Sequence, residues 1–369
     1  MQLPKTYHIA VLPGDGIGLE VTDEAVRVLQ AAASAHGFSL AFDEHPVGGS
    51  ALDRFDDPLP EATLRACRQA DAVLLGAVGG PDWDHETGSR RPESGLLKLR
   101  QGLGVYANLR PVTVPSSLAE TSPLRADRVA GTDVLIVREL TGGIYFGTPR
   151  GVVHHVGKHT ATNTMCYSEH EIARIARVAF TWAEKRSGRV TSVDKANVLE
   201  VSQLWREVVT RVQRDEFSHV ELDHLYVDNA AMQLVRDPRQ FDVILTGNLF
   251  GDILSDLAAT LPGSLGLLPS ASIGGAVGLF EPVHGSAPDL VGQATANPLG
   301  AILSGAMLLD EIGEGAAAGA VRRGVEAALG AGLRTADLQR TGGRQVSTAE
   351  MGQAVADAIG LFTHHPIPA

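Results

Sequence analysis

The chain has 369 residues, a length typical of about two domains. Its composition is 44% apolar and 20% charged, which is ordinary for a globular enzyme, and no apolar run is long enough to span a bilayer. The net charge of −12 disfavours a general surface for nucleic acid or anionic lipid, so an anionic ligand has to be met by a local group of arginines.

The cysteine usage and the start of the chain bear on location. Cys67 and Cys166 are far apart in sequence and form no metal-binding or redox spacing, which is typical of a reducing compartment. Residues 1–11 lack the basic and then apolar pattern of a secretory leader. We therefore expect a cytoplasmic location.

Short apolar runs alternate with longer amphipathic stretches, a pattern typical of an α/β protein with a mostly parallel sheet. One helix is predicted over 19–33. Another begins after Ser168, which forms a capping box with Glu171, and Ser347 and Glu350 repeat that signal near the C-terminus. The predicted strands are 8–12, 72–75, 134–137, 190–193, 225–227 and 241–245.

A glycine-rich loop, residues 13–18, follows the first predicted strand. Its glycines are spaced G-x-G-x-G rather than G-x-G-x-x-G, and no acid is clearly placed at a strand end about twenty residues later, so the dinucleotide fingerprint is not met. The loop predicts a tight turn that brings backbone close to a ligand. A purely structural turn explains it about as well.

Three arginines are candidate anion-binding residues, namely Arg100, Arg110 and Arg138. A guanidinium matches a carboxylate in two-point contact, so arginines that converge from several elements suggest a substrate with more than one carboxylate. A solvated or ion-paired structural role is the alternative for each of them. Arg138 is the strongest candidate, because it ends a buried strand, where open α/β sheets bind ligands.

Two candidate proton-transfer residues come next along the chain. Tyr145 follows a pair of glycines and could donate a proton, or it could bury its ring with the hydroxyl bonded locally. Lys195 follows the predicted strand 190–193 and is a candidate base. An ion pair with an aspartate is the alternative for Lys195.

Three aspartates form a candidate cation site. Asp252 and Asp256 lie where the predicted strand 241–245 gives way to a helix, and residues four apart share one helix face. Asp228 ends an apolar run ahead of a helix predicted to begin near Ala230. Carboxylates suit a hard divalent cation, although acids early in a helix also simply complement its dipole.

The last informative stretch is the loop 280–289, which contains glycine and serine and ends at Asp289. Such a loop can cradle a nucleotide, with Asp289 accepting hydrogen bonds from ribose hydroxyls and repelling a 2′-phosphate. On its residues alone, the purpose of this loop stays open.

Taken together and in this order, the motifs resemble those of the β-decarboxylating dehydrogenases of 2-hydroxy acids, over almost the whole chain. The departures are Leu19, where that family usually has proline, and residues 229–231, and neither replaces a charged functional position. The segments that carry the resemblance are 14–18, 91–100, 108–111, 138–146, 194–198, 226–228, 248–256 and 281–289.

The resemblance implies a two-domain α/β fold with a parallel or mixed sheet, of the isocitrate/isopropylmalate dehydrogenase type rather than a classical Rossmann domain. Residues 1–108 and 263–369 would form a discontinuous NAD-binding domain. Residues 109–262 would form a central domain that carries a dimer interface and an arm. Active sites in this family are shared between the subunits of a homodimer, so Lys195 and Asp228 would serve the site of the partner subunit.

The resemblance also implies the reaction, an NAD-dependent oxidative decarboxylation of (2R,3S)-3-isopropylmalate to 4-methyl-2-oxopentanoate and CO₂ in leucine biosynthesis. Tyr145 and Lys195 would be the catalytic acid and base. Mg²⁺ or Mn²⁺ would be held by Asp228, Asp252 and Asp256. The implied substrate contacts are Arg100, Arg110, Arg138, Asp228, Leu96, Leu97 and Val198, and the implied NAD contacts are Glu93, His284, Gly285, Ser286, Ala287, Asp289 and Asn297.

Other substrates and other classes of protein remain as alternatives. Leu96, Leu97 and Val198 would receive the isopropyl group, but apolar discrimination is worth only about 1–3 kcal/mol, so tartrate or malate, isocitrate and homoisocitrate stay open. A metal-dependent phosphoryl-transfer enzyme could also use three aspartates and arginines. A non-catalytic dicarboxylate-binding descendant would be expected to lose Lys195 or Tyr145, and both are present.

Overall fold

The computed structural model describes residues 5–155 and 157–362, so residues 1–4 and 363–369 of the predicted NAD-binding domain lie outside the described residues. The strands are β1 (Thr6–Gly14), β2 (Ser39–Glu44), β3 (Ala72–Ala77), β4 (Ala107–Thr113), β5 (Asp133–Glu139), β6 (Gly147–His155), β7 (Lys158–Thr164), β8 (Arg189–Asp194), β9 (Glu221–Tyr226), β10 (Val243–Thr246), β11 (Pro269–Ile273), β12 (Gly278–Pro282), β13 (Leu333–Arg334) and β14 (Arg344–Gln345). The helices are α1 (Gly18–His36), α2 (Gly49–Phe55), α3 (Glu61–Gln69), α4 (Pro92–Leu103), α5 (Ala126–Val129), α6 (Glu169–Glu184), α7 (Glu200–Glu216), α8 (Val227–Arg236), α9 (Asn248–Ala259), α10 (Leu299–Glu311), α11 (Gly315–Gly330) and α12 (Thr348–Phe362).

The chain forms two compact units, residues 1–105 with 262–369 and residues 106–261. In the first unit the strand order is β2-β1-β3-β12-β11. The neighbours are parallel except for β11, which runs antiparallel to β12. All six residues of β3 are buried, because a parallel strand in mid-sheet is covered on both faces. Leu12, Leu75 and Leu279 lie in the core of this unit.

In the second unit the strand order is β4-β5-β10-β8-β9. The neighbours are parallel except for β4, which runs antiparallel to β5. Arg138 of β5 stands beside Thr246 of β10, which stands beside Val193 of β8. Residues that follow these three strands therefore leave the sheet at one edge, the edge at which parallel sheets bind ligands. Strands β6 and β7 form a separate antiparallel ribbon.

The predicted α/β class with a mixed, mostly parallel sheet is confirmed. Both predicted capping boxes are present. The amide of Glu171 donates to Ser168 Oγ at 3.3 Å and the amide of Ser168 donates to the Glu171 carboxylate at 2.7 Å. The corresponding distances for Ser347 and Glu350 are 3.2 and 2.8 Å.

The predicted boundary between β9 and α8 and the predicted start of β10 are wrong. Strand β9 ends at Tyr226 and α8 begins at Val227, so Asp228 lies in the first turn of a helix rather than ahead of one. The β-branched side chain of Val227 favours a strand only weakly, and the helical hydrogen bonds of α8 override that preference. Strand β10 begins at Val243, two residues after its predicted start.

The glycine-rich turn after β1 has a structural explanation. Gly14 and Gly16 have left-handed φ angles of 74° and 60°, and a Cβ on Gly14 would lie 1.9 Å from the carbonyl oxygen of Ala77. The buried carboxylate of Asp15 accepts hydrogen bonds from the amides of Gly49 and Gly79 at 2.7 and 2.8 Å. At position 14 only glycine tolerates both the left-handed φ and the lack of space for a Cβ.

No helix in residues 5–155 and 157–362 combines the length and the apolar character needed to cross a membrane.

Candidate active site

The N-terminal half of α9 is the centre of the candidate site in the second unit. The helix begins directly after β10, and Asp252 and Asp256 lie one turn apart on it, as predicted. Their side chains are 35% and 63% exposed, so both carboxylates face outward from the sheet edge. Two buried apolar residues of α9, Leu254 and Ala258, lie on the opposite side of the helix.

Arg138 crosses α9 and pairs with it. Its buried guanidinium donates from Nε and Nη2 to Asn248 Oδ1 at 3.1 and 2.8 Å, and Nη1 donates to Asp252 Oδ1. A Cβ on Gly251 would lie 2.6 Å from Arg138 Cγ, so the glycine lets the arginine stem lie against the helix. The guanidinium and the carboxylate are therefore held in one orientation.

Arg110 reaches the same helix from β4. Its Nη1 donates to Ser255 Oγ at 2.7 Å and to Asp256 Oδ1 at 3.1 Å, and its Nη2 is 4.0 Å from Asp252 Oδ1. Nε donates to Asn108 Oδ1 at 2.8 Å. Two guanidiniums and two carboxylates thus form one cluster, and an acidic ligand placed beside it would meet both arginines.

Tyr145 belongs to the same cluster. It ends a short 3₁₀ turn, Gly143–Tyr145, and its hydroxyl donates to Asp252 Oδ2 at 3.0 Å. Burial, followed by the neighbouring charge of Asp252, raises the pKa of the Tyr145 hydroxyl. Because a raised pKa keeps the hydroxyl protonated, Tyr145 is suited to donate a proton.

Three residues that the sequence did not single out hold this cluster together. Asn248 is 2% exposed, and its side-chain nitrogen Nδ2 donates to the carbonyl oxygens of Leu140 and Gly142. Glu139 is fully buried, and Tyr167 is nearly so. Glu139 and Asn248 carry the strand-end signal that identified Arg138. No local signal marks Tyr167, because its partners are distant in sequence.

Lys195 and Asp228 form a second cluster. Lys195 Nζ donates to Asp228 Oδ1 at 2.9 Å, and this hydrogen bond lowers the pKa of the Asp228 carboxyl. The buried carboxylate of Asp194 accepts from Arg206 at 2.7 and 3.2 Å, and the amide of Lys195 donates to Ser202 Oγ at 3.2 Å. The ion pair considered as the alternative for Lys195 is therefore present in the chain.

Asp228 does not join Asp252 and Asp256 within one chain. Among residues 5–155 and 157–362, no group of three histidine, cysteine, aspartate or glutamate side chains is placed to hold a metal ion. Asp252 and Asp256 offer carboxylate oxygens from one helix face, and Asp228 is paired with Lys195 instead.

The remaining predicted substrate residues belong to neither cluster. Leu96, Leu97 and Arg100 are in the first unit, and Val198 is in the second. In the first unit Arg100 Nη2 donates to Glu281 at 2.7 Å, while its Nε is buried with no partner in the described part of the chain. Leu96 packs half-buried against the core of this unit, whereas Leu97 is exposed. In the second unit Val198 is 62% exposed, so its side chain is free to meet another surface.

The predicted cofactor loop meets the glycine-rich turn of the first unit. The carbonyl oxygen of Ser286 accepts the amide of Ile17 at 2.9 Å, and a Cβ on Gly16 would lie 2.1 Å from that oxygen. Ala287 has a left-handed φ of 38°. Sequence spacing could not show that these two loops, about 270 residues apart, form one surface.

The remaining predicted cofactor residues are also in the first unit. Burial lowers the pKa of His284, whose Nδ1 lies 2.9 Å from the carbonyl oxygen of Gly285, and its Nε2 is buried without a partner among the described residues. Glu93 and Asp289 are exposed. Asn297 is buried and donates to Asp337 at 2.9 Å.

Comparison with known proteins is consistent across sequence and structure. The protein-family model described as isocitrate/isopropylmalate dehydrogenase matches residues 8–355. A 3-isopropylmalate dehydrogenase from Salinibacter ruber is 68% identical over 352 residues, which cover 95% of this chain and 95% of the relative. One from Oleidesulfovibrio alaskensis is 58% identical over 355 residues, which cover 95% and 99%.

Solved structures give the same result. The chain matches the crystal structure of an isocitrate dehydrogenase from Methylococcus capsulatus with a TM-score of 0.85 and 36% identity, over 96% of this chain and 99% of the other. It matches a β-decarboxylating dehydrogenase from Thermococcus kodakarensis, in its apo form, with a TM-score of 0.80 and 37% identity, over 98% and 99%.

The fold and the site define an α/β enzyme that presents arginines, carboxylates and a tyrosine beyond the carboxyl ends of parallel strands. The chain belongs to the isocitrate/isopropylmalate dehydrogenase family and is an oxidoreductase. The predicted resemblance to the β-decarboxylating dehydrogenases and the predicted fold type are confirmed. The phosphoryl-transfer alternative has no support from these matches.

Proposed function

We propose that the protein oxidises and decarboxylates 3-isopropylmalate to 4-methyl-2-oxopentanoate and CO₂, with NAD as the hydride acceptor, in leucine biosynthesis. The observation that carries the proposal is the cluster around Asp252, in which Arg110, Arg138 and the Tyr145 hydroxyl converge. A substrate with two carboxylates needs cationic partners and a proton donor side by side, and this cluster supplies both.

The arginines bind and orient the substrate. Arg110 and Arg138 are largely buried, so their guanidiniums cost little further desolvation when a carboxylate arrives. We assign Arg100 to the same task, because its buried Nε has a donor to offer. A substrate held by several planar guanidiniums is fixed in orientation as well as in position.

The donor set of α9 fits a hard divalent cation, Mg²⁺ or Mn²⁺. Asp252 and Asp256 offer carboxylate oxygens from one helix face, the ligand type such cations prefer. The partner subunit's Asp228 would complete the set, since the described residues of one chain contain no third ligand. When bound, the cation would supply Lewis-acid polarisation of the substrate's hydroxyl and carboxylate oxygens.

Lys195 and Tyr145 move the protons. Lys195 takes the proton of the C2 hydroxyl as the C2 hydride leaves, so the alcohol becomes a ketone. The bond between C3 and the adjacent carboxylate carbon then breaks, CO₂ leaves, and its electron pair passes into an enolate. Tyr145 gives a proton to C3, and its raised pKa suits it to this role as the acid.

The first unit fits a nicotinamide dinucleotide, which would accept the hydride. The loop 284–287 combines an exposed glycine, a left-handed residue and a histidine whose buried Nε2 has no partner among the described residues. These features leave backbone and side-chain groups available to a ligand. We assign Glu93, His284, Gly285, Ser286, Ala287, Asp289 and Asn297 to it.

Asp289 sets the preference for NAD over NADP in this proposal, because an exposed carboxylate repels a 2′-phosphate. Asp289→Lys is expected to lower the ratio of kcat/KM for NAD to that for NADP. Asp82→Lys, an exchange at another exposed acid of the first unit, is the control. The measurement is initial rate against each cofactor, and an unchanged ratio would remove Asp289 from the site.

A second copy of this chain is the proposed partner. Two neighbouring helices of the second unit expose apolar side chains, Met232 (63%) and Val235 (44%) on α8 and Ile253 (56%) on α9. Exposed apolar side chains on neighbouring helices mark an interaction face. A homodimer would cover this face and bring the partner subunit's Lys195 and Asp228 to the cluster on α9.

The substrate assignment rests on apolar side chains. Leu97 and Val198 are exposed. Leu96 and Leu97, with Val198 of the partner subunit, would receive the isopropyl group. Such a pocket separates substrates by only about 1–3 kcal/mol for one or two methylenes. Side activity on related 2-hydroxy acids is therefore part of the proposal.

The test is NADH formation from 3-isopropylmalate, isocitrate and tartrate in parallel, each with Mg²⁺ and with a chelator. We expect the highest kcat/KM with 3-isopropylmalate and loss of activity with the chelator. A preference for another acid would move the substrate while keeping the reaction. If none of the three gives NADH, the proposal is overturned, and the non-catalytic dicarboxylate-binding protein becomes the favoured alternative.

A further inference from the structure

Tyr167 contacts two segments of the candidate site. One is the turn that leads to Tyr145, and the other is the start of α9, the helix that carries Asp252 and Asp256. Tyr167 precedes α6 and is 9% exposed. Its hydroxyl accepts the amide of Asn248, the first residue of α9, at 2.7 Å. The Glu139 carboxylate and the Tyr167 ring both lie against Gly142, because a Cβ on that glycine would be 3.3 Å from Glu139 Oε2 and 2.5 Å from Tyr167 Cε1.

Glu139 fixes the turn that leads to Tyr145. Its carboxylate is fully buried and accepts the amides of Thr141 and Gly142 at 2.9 and 2.7 Å, as well as the Thr141 hydroxyl at 2.7 Å. Arg174 donates to it at 3.4 Å. A buried carboxylate with this many donors holds the surrounding backbone in one conformation.

The glycines of both segments are shaped to the Tyr167 ring. A Cβ on Gly142 would lie 2.5 Å from Cε1 of the ring, one on Gly143 would lie 2.7 Å from the hydroxyl oxygen, and one on Gly247 would lie 3.1 Å from it. The amide of Gly143 also donates to the carbonyl oxygen of Cys166 at 2.9 Å. The turn that leads to Tyr145 and the start of α9 are therefore both hydrogen-bonded to residues 166–167.

We infer that Tyr167 is a positioning residue, which joins the turn bearing Tyr145 to the start of α9 and so holds the Tyr145 hydroxyl 3.0 Å from Asp252. It touches neither substrate nor cofactor and acts through Tyr145. The inference rests on the proposed function, since it concerns the group that protonates C3.

Tyr167→Phe removes one oxygen and keeps the ring. We expect kcat to fall by about 10- to 100-fold, the usual range for residues that orient the direct ligands of a site, while KM for 3-isopropylmalate changes little. Tyr7→Phe is the matched control. It removes a similarly buried hydroxyl, bonded to Ile312 and Glu314 in the first unit, and should leave kcat unchanged.

A double-mutant cycle separates positioning from general loss of structure. If Tyr167 acts through the Tyr145 hydroxyl, adding Tyr167→Phe to Tyr145→Phe should cost no further rate, because the hydroxyl that it positions is already gone. Losses that multiply would overturn the inference. So would an active Tyr167→Phe protein with wild-type kcat.

Two further measurements cover the remaining outcomes. A crystal structure of ligand-free Tyr167→Phe should show the Tyr145 oxygen out of hydrogen-bond range of Asp252, and an unchanged distance would count against the inference whatever the reaction. If Tyr167→Phe does not fold, Gly247→Ala is the second variant, because its Cβ would lie 3.1 Å from the Tyr167 hydroxyl oxygen and crowd its contact with α9. An unchanged kcat in that variant would overturn the inference. Absence of NADH formation by the wild type would instead overturn the proposed function.

Discussion

Tyr145 shows how the surroundings of one residue can define its chemical role. Burial and the neighbouring Asp252 carboxylate raise its pKa from the ordinary value of 10.0. A group that must deliver a proton is useful only below its pKa, so the raised pKa extends the useful range upward. Arg138, which lies 6.0 Å from the ring, opposes this shift but does not reverse it.

Tyr145→Phe is expected to lower kcat by about 10²- to 10⁴-fold, the usual contribution of a general acid, without a comparable change in KM. In the metal-free wild type, the Tyr145 hydroxyl should stay protonated up to at least pH 10.0, its ordinary pKa. Steady-state rates check the first expectation, and ultraviolet titration of the metal-free protein against Tyr145→Phe checks the second. A mutant that keeps wild-type kcat would remove Tyr145 from the reaction.

His224 gives a prediction for stability rather than activity. On β9 its Nε2 lies 3.0 Å from Thr210 Oγ1, and burial, followed by the charge of Arg206, lowers its pKa from the ordinary 6.5, against the opposing charges of Asp194 and Asp223. Below pH 6.5 the unfolded chain binds a proton that the folded chain excludes. Stability therefore falls as the pH drops through this window, until the folded pKa is reached.

His224→Gln should reduce that loss of stability between about pH 7.5 and about pH 5, because glutamine keeps a hydrogen-bonding group but does not titrate. Urea unfolding at the two pH values gives the comparison. His170→Gln, at an exposed position of α6, is the control and should leave the pH dependence unchanged. Equal effects of the two exchanges would contradict the explanation.

At the scale of elements, α6 in the second unit and α12 in the first each begin with a complete capping box. Ser168→Ala in α6 and Ser347→Ala in α12 should each lower the free energy of unfolding by about 1 kcal/mol, since each leaves helix amides without their acceptor. Ser218→Ala, at an exposed loop position, should change it by less than about 0.5 kcal/mol. Denaturant unfolding measures all three, and a control as costly as the caps would refute the assignment.

The elements that the sequence predicted best are those in which one local signal is strong. Continuous apolar runs identified β3 and β5, and capping boxes identified α6 and α12. Strand β4 was not predicted, because Arg110 and Pro111 interrupt its apolar pattern, yet its pairing with β5 outweighs that pattern. Tertiary pairing of this kind is not visible in local sequence.

The site shows the same division. Sequence analysis named Arg110, Arg138, Tyr145, Asp252 and Asp256 as candidates, and the structure brings all five together. The residues that hold them, Asn248 and Tyr167 among them, were missed. The bonds of Asn248 to Arg138 and to Tyr167 join residues 110 and 81 positions apart, so no spacing rule could have revealed them.

At the scale of the whole molecule, the distribution of the site over two clusters suggests how subunits cooperate. Tyr145, Asp252 and Asp256 lie in one cluster, and Lys195 and Asp228 form the other. In the proposed homodimer, the first cluster of one subunit meets the second cluster of its partner. Each of the two active sites would then be built from both chains.

This arrangement predicts complementation between two inactive proteins. Lys195→Met and Tyr145→Phe each disable both sites of their own homodimer. In a mixed dimer the unchanged Tyr145 of one chain faces the unchanged Lys195 of the other, which restores one site, while the second site carries both exchanges. Random reassociation of equal amounts should recover about a quarter of wild-type activity, since half of the dimers are mixed and each has one of two sites intact.

The measurement is NADH formation after the two proteins are unfolded together, refolded and compared with each protein refolded alone. The control mixture combines Tyr145→Phe with Asp252→Asn, two exchanges in the same cluster. A mixed dimer of these two has one defect in each site, so we expect no recovery. No recovery in the test mixture would show that Lys195 and Tyr145 of the same chain work together. Recovery in the control would show that Tyr145 and Asp252 of one chain do not serve the same site, and either result would refute the shared site as proposed.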